Sequence, residues 1–216
     1  MKSIARFIES TNLSPTLTGK DVDALVAEAK ALEVLGVCVP PFWVKRAARE
    51  IAEDDLQLVT VVGFPLGYQM TETKIEEARL AIRDGANELD IVWSISAFKD
   101  GMPWPKIELA KLSKVAHDEE VLLKVIIEVA YLSSQEIEMA CRICADAGVD
   151  FVKTSTGFAK GGEVTPDHIA ALRGCLPSNV GIKASGGIRT KEQALNLITA
   201  GADRIGTSSA RAIITD

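Results

Sequence analysis

The chain has 216 residues and a formal net charge of −6 at pH 7, a length that suits one domain with a full hydrophobic core. An acidic chain without a basic stripe is not expected to take nucleic acid or an anionic membrane as its main partner, although binding a phosphate group needs only local donors. Charges interrupt the N-terminal segment too early for a secretory signal, and no stretch approaches the roughly 20 apolar residues that span a bilayer, so we expect a soluble cytoplasmic protein.

Short apolar strands alternate with amphipathic helices along the whole chain, and no linker divides it. The predicted strands cover residues 8–11, 36–39, 58–63, 88–92, 122–128, 150–154, 181–185 and 203–206. The predicted helices cover residues 21–35, 43–51, 71–84, 106–117, 134–147, 166–172 and 191–200. Strands that are apolar on both faces indicate a parallel sheet covered by helices. Eight such units predict an α/β fold, a single (β/α)8 TIM barrel over residues 1–216, with a doubly wound open sheet as the alternative.

Cys141 and Cys144 form a C-x-x-C pair, a spacing that binds zinc or performs redox chemistry in other proteins. Here the pair lies on the apolar face of a predicted helix, without a second pair or a well-placed histidine, so we expect both to be core residues. No metal-ligand spacing such as H-E-x-x-H occurs, and no G-x-G-x-x-G follows the early strands. We therefore expect neither a metal nor a cofactor.

Charged residues stand inside predicted strands that are otherwise apolar, and the three that draw most notice are Asp90, Lys153 and Lys183. A charge in a buried strand is costly unless it is paired or used, and active sites of this fold collect at the carboxyl ends of the strands. Lys153 and Lys183 are 30 residues apart, about one βα unit, which places them on neighbouring strands roughly 4.8 Å apart.

When two ammonium groups lie close together and out of water, their repulsion and the lost hydration should make one lysine lose its proton more readily. The neutral amine that results can attack a carbonyl to form an imine. Asp90 could hold the second lysine charged and pass protons. The alternative is a buried ion pair without chemistry. Lys124 lies near the start of its predicted strand, so we expect it to have a structural role at the opposite face of the barrel.

Turns rich in glycine and serine follow the last three predicted strands, at residues 154–158, 184–189 and 206–210. Glycines let backbone N–H groups approach an anion, and the loops after strands seven and eight often bind phosphate in this fold. The turns therefore predict a phosphate site. Arg189 is either part of this site or a solvated charge at a helix start.

The segment 150–158, followed by Gly161 and Gly162, resembles the Schiff-base segment of deoxyribose-phosphate aldolases. The segment 183–190 resembles that family's second lysine segment. Further segments also match, namely residues 62–67, 85–90, 124–128 and 204–209. There are two departures: Glu9-Ser10-Thr11 stands where the family usually has Asp-His-Thr, and the bulky Trp93 follows Asp90 closely.

The resemblance implies that Lys153 forms an imine with 2-deoxyribose 5-phosphate, while Lys183 and Asp90 relay protons. It implies a substrate-binding set that consists of Thr11, Cys38, Gly157, Gly186, Gly187, Ser208 and Ser209. The implied products are glyceraldehyde 3-phosphate and acetaldehyde, formed without a metal or cofactor, and a homo-oligomer is compatible with the sequence. The alternatives are a related aldolase that takes other aldehydes, as the two departures suggest, and a non-catalytic barrel that binds sugar phosphates.

Overall fold

The computed structural model describes residues 3–215 and contains a closed barrel of eight parallel strands. Each strand pairs with the next along the chain, and the eighth closes on the first through pairs such as Ile8 with Ile205. The strands are β1 (Ile8–Thr11), β2 (Gly36–Val39), β3 (Gln57–Val62), β4 (Glu88–Val92), β5 (Leu122–Ile126), β6 (Phe151–Lys153), β7 (Gly181–Ser185) and β8 (Arg204–Thr207). The predicted (β/α)8 barrel is confirmed, and the doubly wound alternative is wrong.

Helices cover the outside of this barrel. They are α1 (Gly19–Ala31), α2 (Val44–Ile51), α3 (Thr71–Arg83), α4 (Ile95–Lys99), α5 (Trp104–His117), α6 (Ser134–Asp146), α7 (Pro166–Cys175), α8 (Lys191–Thr199) and α9 (Ala210–Thr215). Three short 3-10 helices, Ile4–Phe7, Pro41–Trp43 and Val129–Tyr131, lie beside strand ends. The single domain predicted over residues 1–216 includes Met1, Lys2 and Asp216, which lie outside the described residues.

Local capping signals explain where several helices begin. The side chain of Ser133 accepts a hydrogen bond from the backbone N–H of Glu136, and the Glu136 carboxylate accepts one from the N–H of Ser133. This capping box satisfies two N–H groups that a helix start otherwise leaves unpaired. Thr165 forms a similar box ahead of Pro166, whose ring suits the first helical turn. Both predicted starts are confirmed.

The structure differs from the prediction mainly at loops. The predicted first helix, 21–35, ends at Ala31 because Glu33 adopts a left-handed backbone with φ of 52°. The predicted strand 122–128 ends at Ile126, since Glu128 is left-handed as well. The short helices α4 and α9 were not predicted, because neither is long enough to show a clear helical period.

The apolar core lies between the outer face of the strands and the helices. Cys141 and Cys144 are buried in it on α6, as expected, whereas Cys175 is exposed. Trp93 is also buried there: its indole N–H donates to the carbonyl of Ile127 at 3.2 Å, and its ring packs on Phe98. The bulky residue after β4 is therefore a core residue, and it does not enter the barrel mouth.

Candidate active site

Charged side chains fill the inside of the barrel at the level of Asp90. Lys153 ends β6 and pairs in register with Lys183 on β7, so the two lysines are neighbours as predicted. Both donate to the same oxygen, Oδ2 of Asp90, from 2.8 Å (Lys153) and 2.6 Å (Lys183). The three residues that the sequence singled out thus meet in one place.

The surroundings of Asp90 and Lys183 keep both groups charged. Burial alone would raise the pKa of Asp90, but the nearby ammonium groups of Lys124, Lys153 and Lys183 lower it well below its ordinary value. Burial alone would lower the pKa of Lys183, but the carboxylates of Asp90 and Glu9 raise it above its ordinary value. Lys183 is therefore not the lysine that loses its proton more readily, and the expectation that one of the two lysines does so stays a prediction.

Lys124 was expected to lie apart from this cluster, and that expectation is wrong. It is the third residue of β5 and is fully buried. Its ammonium group donates to Oδ1 of Asp90 at 3.0 Å and lies 2.5 Å from Glu88. A lysine side chain is long enough to reach from the lower part of a strand to the middle of the barrel, and the sequence position alone does not show this reach.

Glu9, which stands out in the sequence only as a departure from the family pattern, is also a member of the cluster. It is fully buried on β1, and its carboxylate contacts the ammonium group of Lys183. The same carboxylate lies 3.2 Å from Arg204 and 3.6 Å from Lys124. The signal that identified Asp90, a charge within an apolar strand, was also present at Glu9.

We expect Glu9→Gln to move the alkaline limb of the pH profile of kcat/KM to lower pH, because a carboxylate that holds Lys183 charged is lost. The sign follows from the raised pKa of Lys183: activity that needs its ammonium form lasts to higher pH in the wild type. The measurement is kcat/KM between neutral and alkaline pH. Glu9→Asp, which keeps the charge, is the control, and an unmoved limb in Glu9→Gln would contradict this role.

A cavity of about 320 Å³ opens at the carboxyl ends of β6, β7, β8 and β1, and we call it the mouth cavity. Lys153 lines it, whereas Asp90 and Lys183 lie below, among the fully buried residues. Lys183 is the third of the five residues of β7. Lys153 is thus the member of the cluster that a bound molecule in this cavity can touch.

Most of the predicted substrate-binding residues line the mouth cavity, namely Thr11, Gly157, Gly186, Gly187 and Ser208. Cys38 and Ser209 do not. Cys38 is buried against Val59 and Val61, and burial raises the pKa of its thiol to about 11. Residues that the sequence did not single out also line the cavity, including Asn12, Leu13, Ser14, Thr156, Phe158, Ser185, Ile188 and Thr207.

Two glycines of the cavity lining, Gly187 and Gly206, are favoured for different reasons. Gly187 has φ of 76°, and a Cβ there would lie 2.8 Å from the Glu163 side chain. Gly206 on β8 has ordinary backbone angles, but a Cβ there would lie 3.1 Å from Cε of Lys183. The first glycine keeps a turn of the mouth cavity open, and the second leaves room for a lysine of the charged cluster.

Among the described residues, no group of three or more His, Cys, Asp or Glu side chains is arranged to hold a metal ion. The carboxylates of the barrel interior contact lysine and arginine side chains. Within residues 3–215, no helix is both long enough and apolar enough to cross a membrane.

Comparisons with known proteins agree with this geometry. A family model described as DeoC/LacD family aldolase matches residues 7–215. The deoxyribose-phosphate aldolase of Thermococcus gammatolerans is 46% identical over 214 residues, which covers 98% of this chain and 95% of that protein. The deoxyribose-phosphate aldolase of Brevibacillus brevis is 44% identical over 211 residues, with 97% and 94% covered.

Solved structures show the same relationship. An aldolase called QR15 superimposes with a TM-score of 0.93 at 40% identity and covers 100% of this chain and 96% of that one. A deoxyribose phosphate aldolase from Aeropyrum pernix, described as a tetramer, superimposes with a TM-score of 0.91 at 34% identity, with 98% and 89% covered. The family resemblance of the lysine segments is therefore confirmed, and the chain belongs to the DeoC/LacD family of aldolases.

Proposed function

We propose that this aldolase cleaves 2-deoxy-D-ribose 5-phosphate reversibly to glyceraldehyde 3-phosphate and acetaldehyde through an imine on Lys153. The observation that carries the proposal is the position of Lys153, which lines the mouth cavity while its ammonium group contacts Asp90 and, through it, Lys183. The relatives named deoxyribose-phosphate aldolase support the substrate.

The charge balance of the barrel interior supports Lys153 as the nucleophile. Three buried carboxylates, those of Glu9, Glu88 and Asp90, face four basic groups. These basic groups are Lys124, Lys153, Lys183 and Arg204. An arginine keeps its proton in proteins, and the carboxylates raise the pKa of both Lys124 and Lys183. The cluster therefore holds one basic group more than it holds carboxylates, and Lys153 is the lysine that lines the mouth cavity, where an amine attacks a carbonyl in its neutral form.

The proposed reaction begins when the neutral amine of Lys153 adds to the C1 aldehyde of the open-chain sugar, and loss of water leaves an iminium ion. The C3 hydroxyl then loses its proton, and the C2–C3 bond breaks as its electron pair moves toward the iminium nitrogen. Glyceraldehyde 3-phosphate leaves, and an enamine of acetaldehyde remains on Lys153. Protonation of the enamine at C2 and hydrolysis release acetaldehyde and the free amine.

We assign the proton movements to Lys183 and Asp90, since Lys183 is held charged and shares an oxygen of Asp90 with Lys153. The phosphate half of the substrate fits the glycine turns of the mouth cavity, where Gly157, Gly186 and Gly187 have positive φ and no side chain blocks their backbone. Holding the phosphate there orients the reacting carbons toward Lys153.

One feature of the mouth cavity favours a second activity on aldehydes without phosphate. Phe158 lines the cavity and packs edge-to-face on Phe64, with ring centroids 5.3 Å apart. Leu13, another lining residue, extends this apolar wall. Apolar aldehydes could bind along it as acceptors in the synthetic direction, and a screen of aldehydes against acetaldehyde as donor tests this candidate.

The first experiment is release of glyceraldehyde 3-phosphate from 2-deoxyribose 5-phosphate, with a chelator present throughout. We expect turnover that the chelator does not reduce, because a lysine imine supplies the electron sink. A folded wild-type protein that leaves this substrate intact would disprove the substrate assignment. Turnover that disappears with the chelator and returns with a divalent metal would disprove the metal-independent mechanism.

We further propose that the chain forms a homo-oligomer, as the Aeropyrum pernix relative is described to do. Sedimentation equilibrium of the purified protein measures the mass directly. A mass equal to the 23.2 kDa of one chain at micromolar concentration would contradict this.

A further inference from the structure

Glu128 has an unusual backbone for a residue beside a catalytic strand. It follows β5 and has φ of 56° and ψ of 73°. Among the described residues, positive φ without glycine also occurs at Glu33, Ala52 and Glu120, each in a loop that leads from a helix into the next strand. Glu128 differs because it lies at the carboxyl end of its strand, next to the strand that bears Lys153.

The Glu128 carboxylate binds the loop that follows Lys153. Its Oε2 accepts the backbone N–H of Thr156 at 3.0 Å and also the hydroxyl of Thr156. The same hydroxyl oxygen accepts the backbone N–H of Phe158 at 3.0 Å. Thr156, Gly157 and Phe158 all line the mouth cavity. A chain of hydrogen bonds therefore runs from the end of β5 to one wall of this cavity.

This arrangement has two features that do not favour the folded state. A glutamate in the left-handed region is strained by its Cβ. The other oxygen, Oε1, is buried and has no hydrogen-bond partner among the described residues, while the side chain as a whole is 2% exposed. Such strain persists where the surrounding structure imposes it, and it concentrates at functional sites.

We propose that Glu128 is a positioning residue that fixes the loop at residues 154–158 so that the backbone of Gly157 faces the phosphate of the substrate. The inference rests on the proposed function, since it assigns a task to that same site. Gly157 has φ of 84° and sits between the two residues that the Glu128–Thr156 contacts immobilise. Without those contacts the loop keeps its glycine but loses its fixed direction, and a preorganised anion site is lost.

The test compares Glu128→Gly with Glu120→Gly. Both glutamates have nearly the same φ, 56° and 57°, and glycine accepts that conformation without strain. The exposed Glu120 lies between α5 and β5 at the opposite end of the barrel, so it is a matched control. The two variants therefore differ in the loss of the carboxylate contacts to Thr156.

We expect Glu128→Gly to raise KM for 2-deoxyribose 5-phosphate about tenfold or more, because one hydrogen bond to a charged group already accounts for about a tenfold effect. With 2-deoxyribose, which has no phosphate, kcat/KM should stay within about twofold of the wild-type value, since loop 154–158 then has no phosphate to hold. Glu120→Gly should match the wild type on both substrates. Glu128→Gln, which keeps an acceptor for the Thr156 N–H, should restore most of the lost affinity.

Thr156→Val supplies a second measurement if Glu128→Gly does not fold. It removes the hydroxyl contacts to Glu128 and to the N–H of Phe158 but keeps the contact of the Thr156 N–H with Glu128, so it should raise the same KM by a smaller factor. A wild-type KM for the sugar phosphate in either folded variant overturns the inference, and so does an equal loss with both substrates, which would indicate a general structural role. If instead the proposed function were wrong, the wild type itself would not cleave 2-deoxyribose 5-phosphate.

Discussion

Lys153→Ala is expected to abolish aldol cleavage, with kcat reduced on the order of 10⁴-fold or more, because removal of a covalent nucleophile leaves only binding and orientation. The same change should abolish labelling by borohydride, which reduces an imine of acetaldehyde on the wild-type lysine to N-ethyl-lysine. The measurements are release of glyceraldehyde 3-phosphate and peptide mass spectrometry after reduction. Lys160→Ala is the control, since this exposed lysine lies in the loop that follows β6 and is not part of the lining of the mouth cavity.

The charge balance adds a stability prediction for the same variant. Lys153 is the fourth basic group against three carboxylates, so its removal should leave Asp90 held by Lys124 and Lys183 and the Tm unchanged or higher. Retained cleavage in a folded Lys153→Ala protein would disprove the imine assignment. Borohydride labelling at Lys183 instead would reverse the roles of the two lysines.

Asp90→Asn is expected to remove activity and to destabilise the fold by about 3–5 kcal/mol at neutral pH, because three buried ammonium groups lose their shared carboxylate. The pKa of Asp90 is lowered in the folded state. The stabilisation that the Asp90 carboxylate supplies is therefore fully present above about pH 3.9, the pKa of an aspartate in the unfolded chain. It is lost as the pH falls through the lower pKa that Asp90 has in the folded state. Urea unfolding of the wild type and the variant should show the full difference in the free energy of unfolding near pH 7 and a smaller difference in acid.

The control for Asp90→Asn is a buried ion pair outside the charged cluster. Lys74 on α3 donates to Glu108 on α5 at 2.8 Å, and both side chains are buried. Glu108→Gln should therefore destabilise the fold by a similar amount while kcat stays near the wild-type value. If Asp90→Asn were as stable as the wild type, or if Glu108→Gln lost as much kcat, the special role of Asp90 would be contradicted.

The departures from the family pattern have unequal consequences in the structure. Trp93 packs on Phe98 in the outer core, so it leaves the mouth cavity unchanged and does not favour a different substrate. Glu9 contacts Lys183 within the barrel, so it acts on the proton state of the cluster more than on the acceptor pocket. Of the changed segment, Thr11 alone lines the mouth cavity.

The sequence by itself determined the barrel and the central part of the candidate site. Alternating apolar strands and amphipathic helices are local signals, and eight of them leave few other folds. A charge within an apolar strand is equally local, which is why the sequence alone identifies Asp90, Lys153 and Lys183. The spacing of one βα unit then placed the two lysines on neighbouring strands, and the register of β6 with β7 agrees.

Only the tertiary structure decided which charges meet and which residues face the mouth cavity. Lys124 and Glu9 reach Asp90 and Lys183 across the barrel, and such contacts depend on barrel closure and on how far each strand is shifted along its neighbour. Cys38 is buried outside the lining of the mouth cavity for the same reason. The Glu128 contact joins two loops that are 28 residues apart in sequence, and it exists because the carboxyl ends of parallel strands are brought to one face by folding.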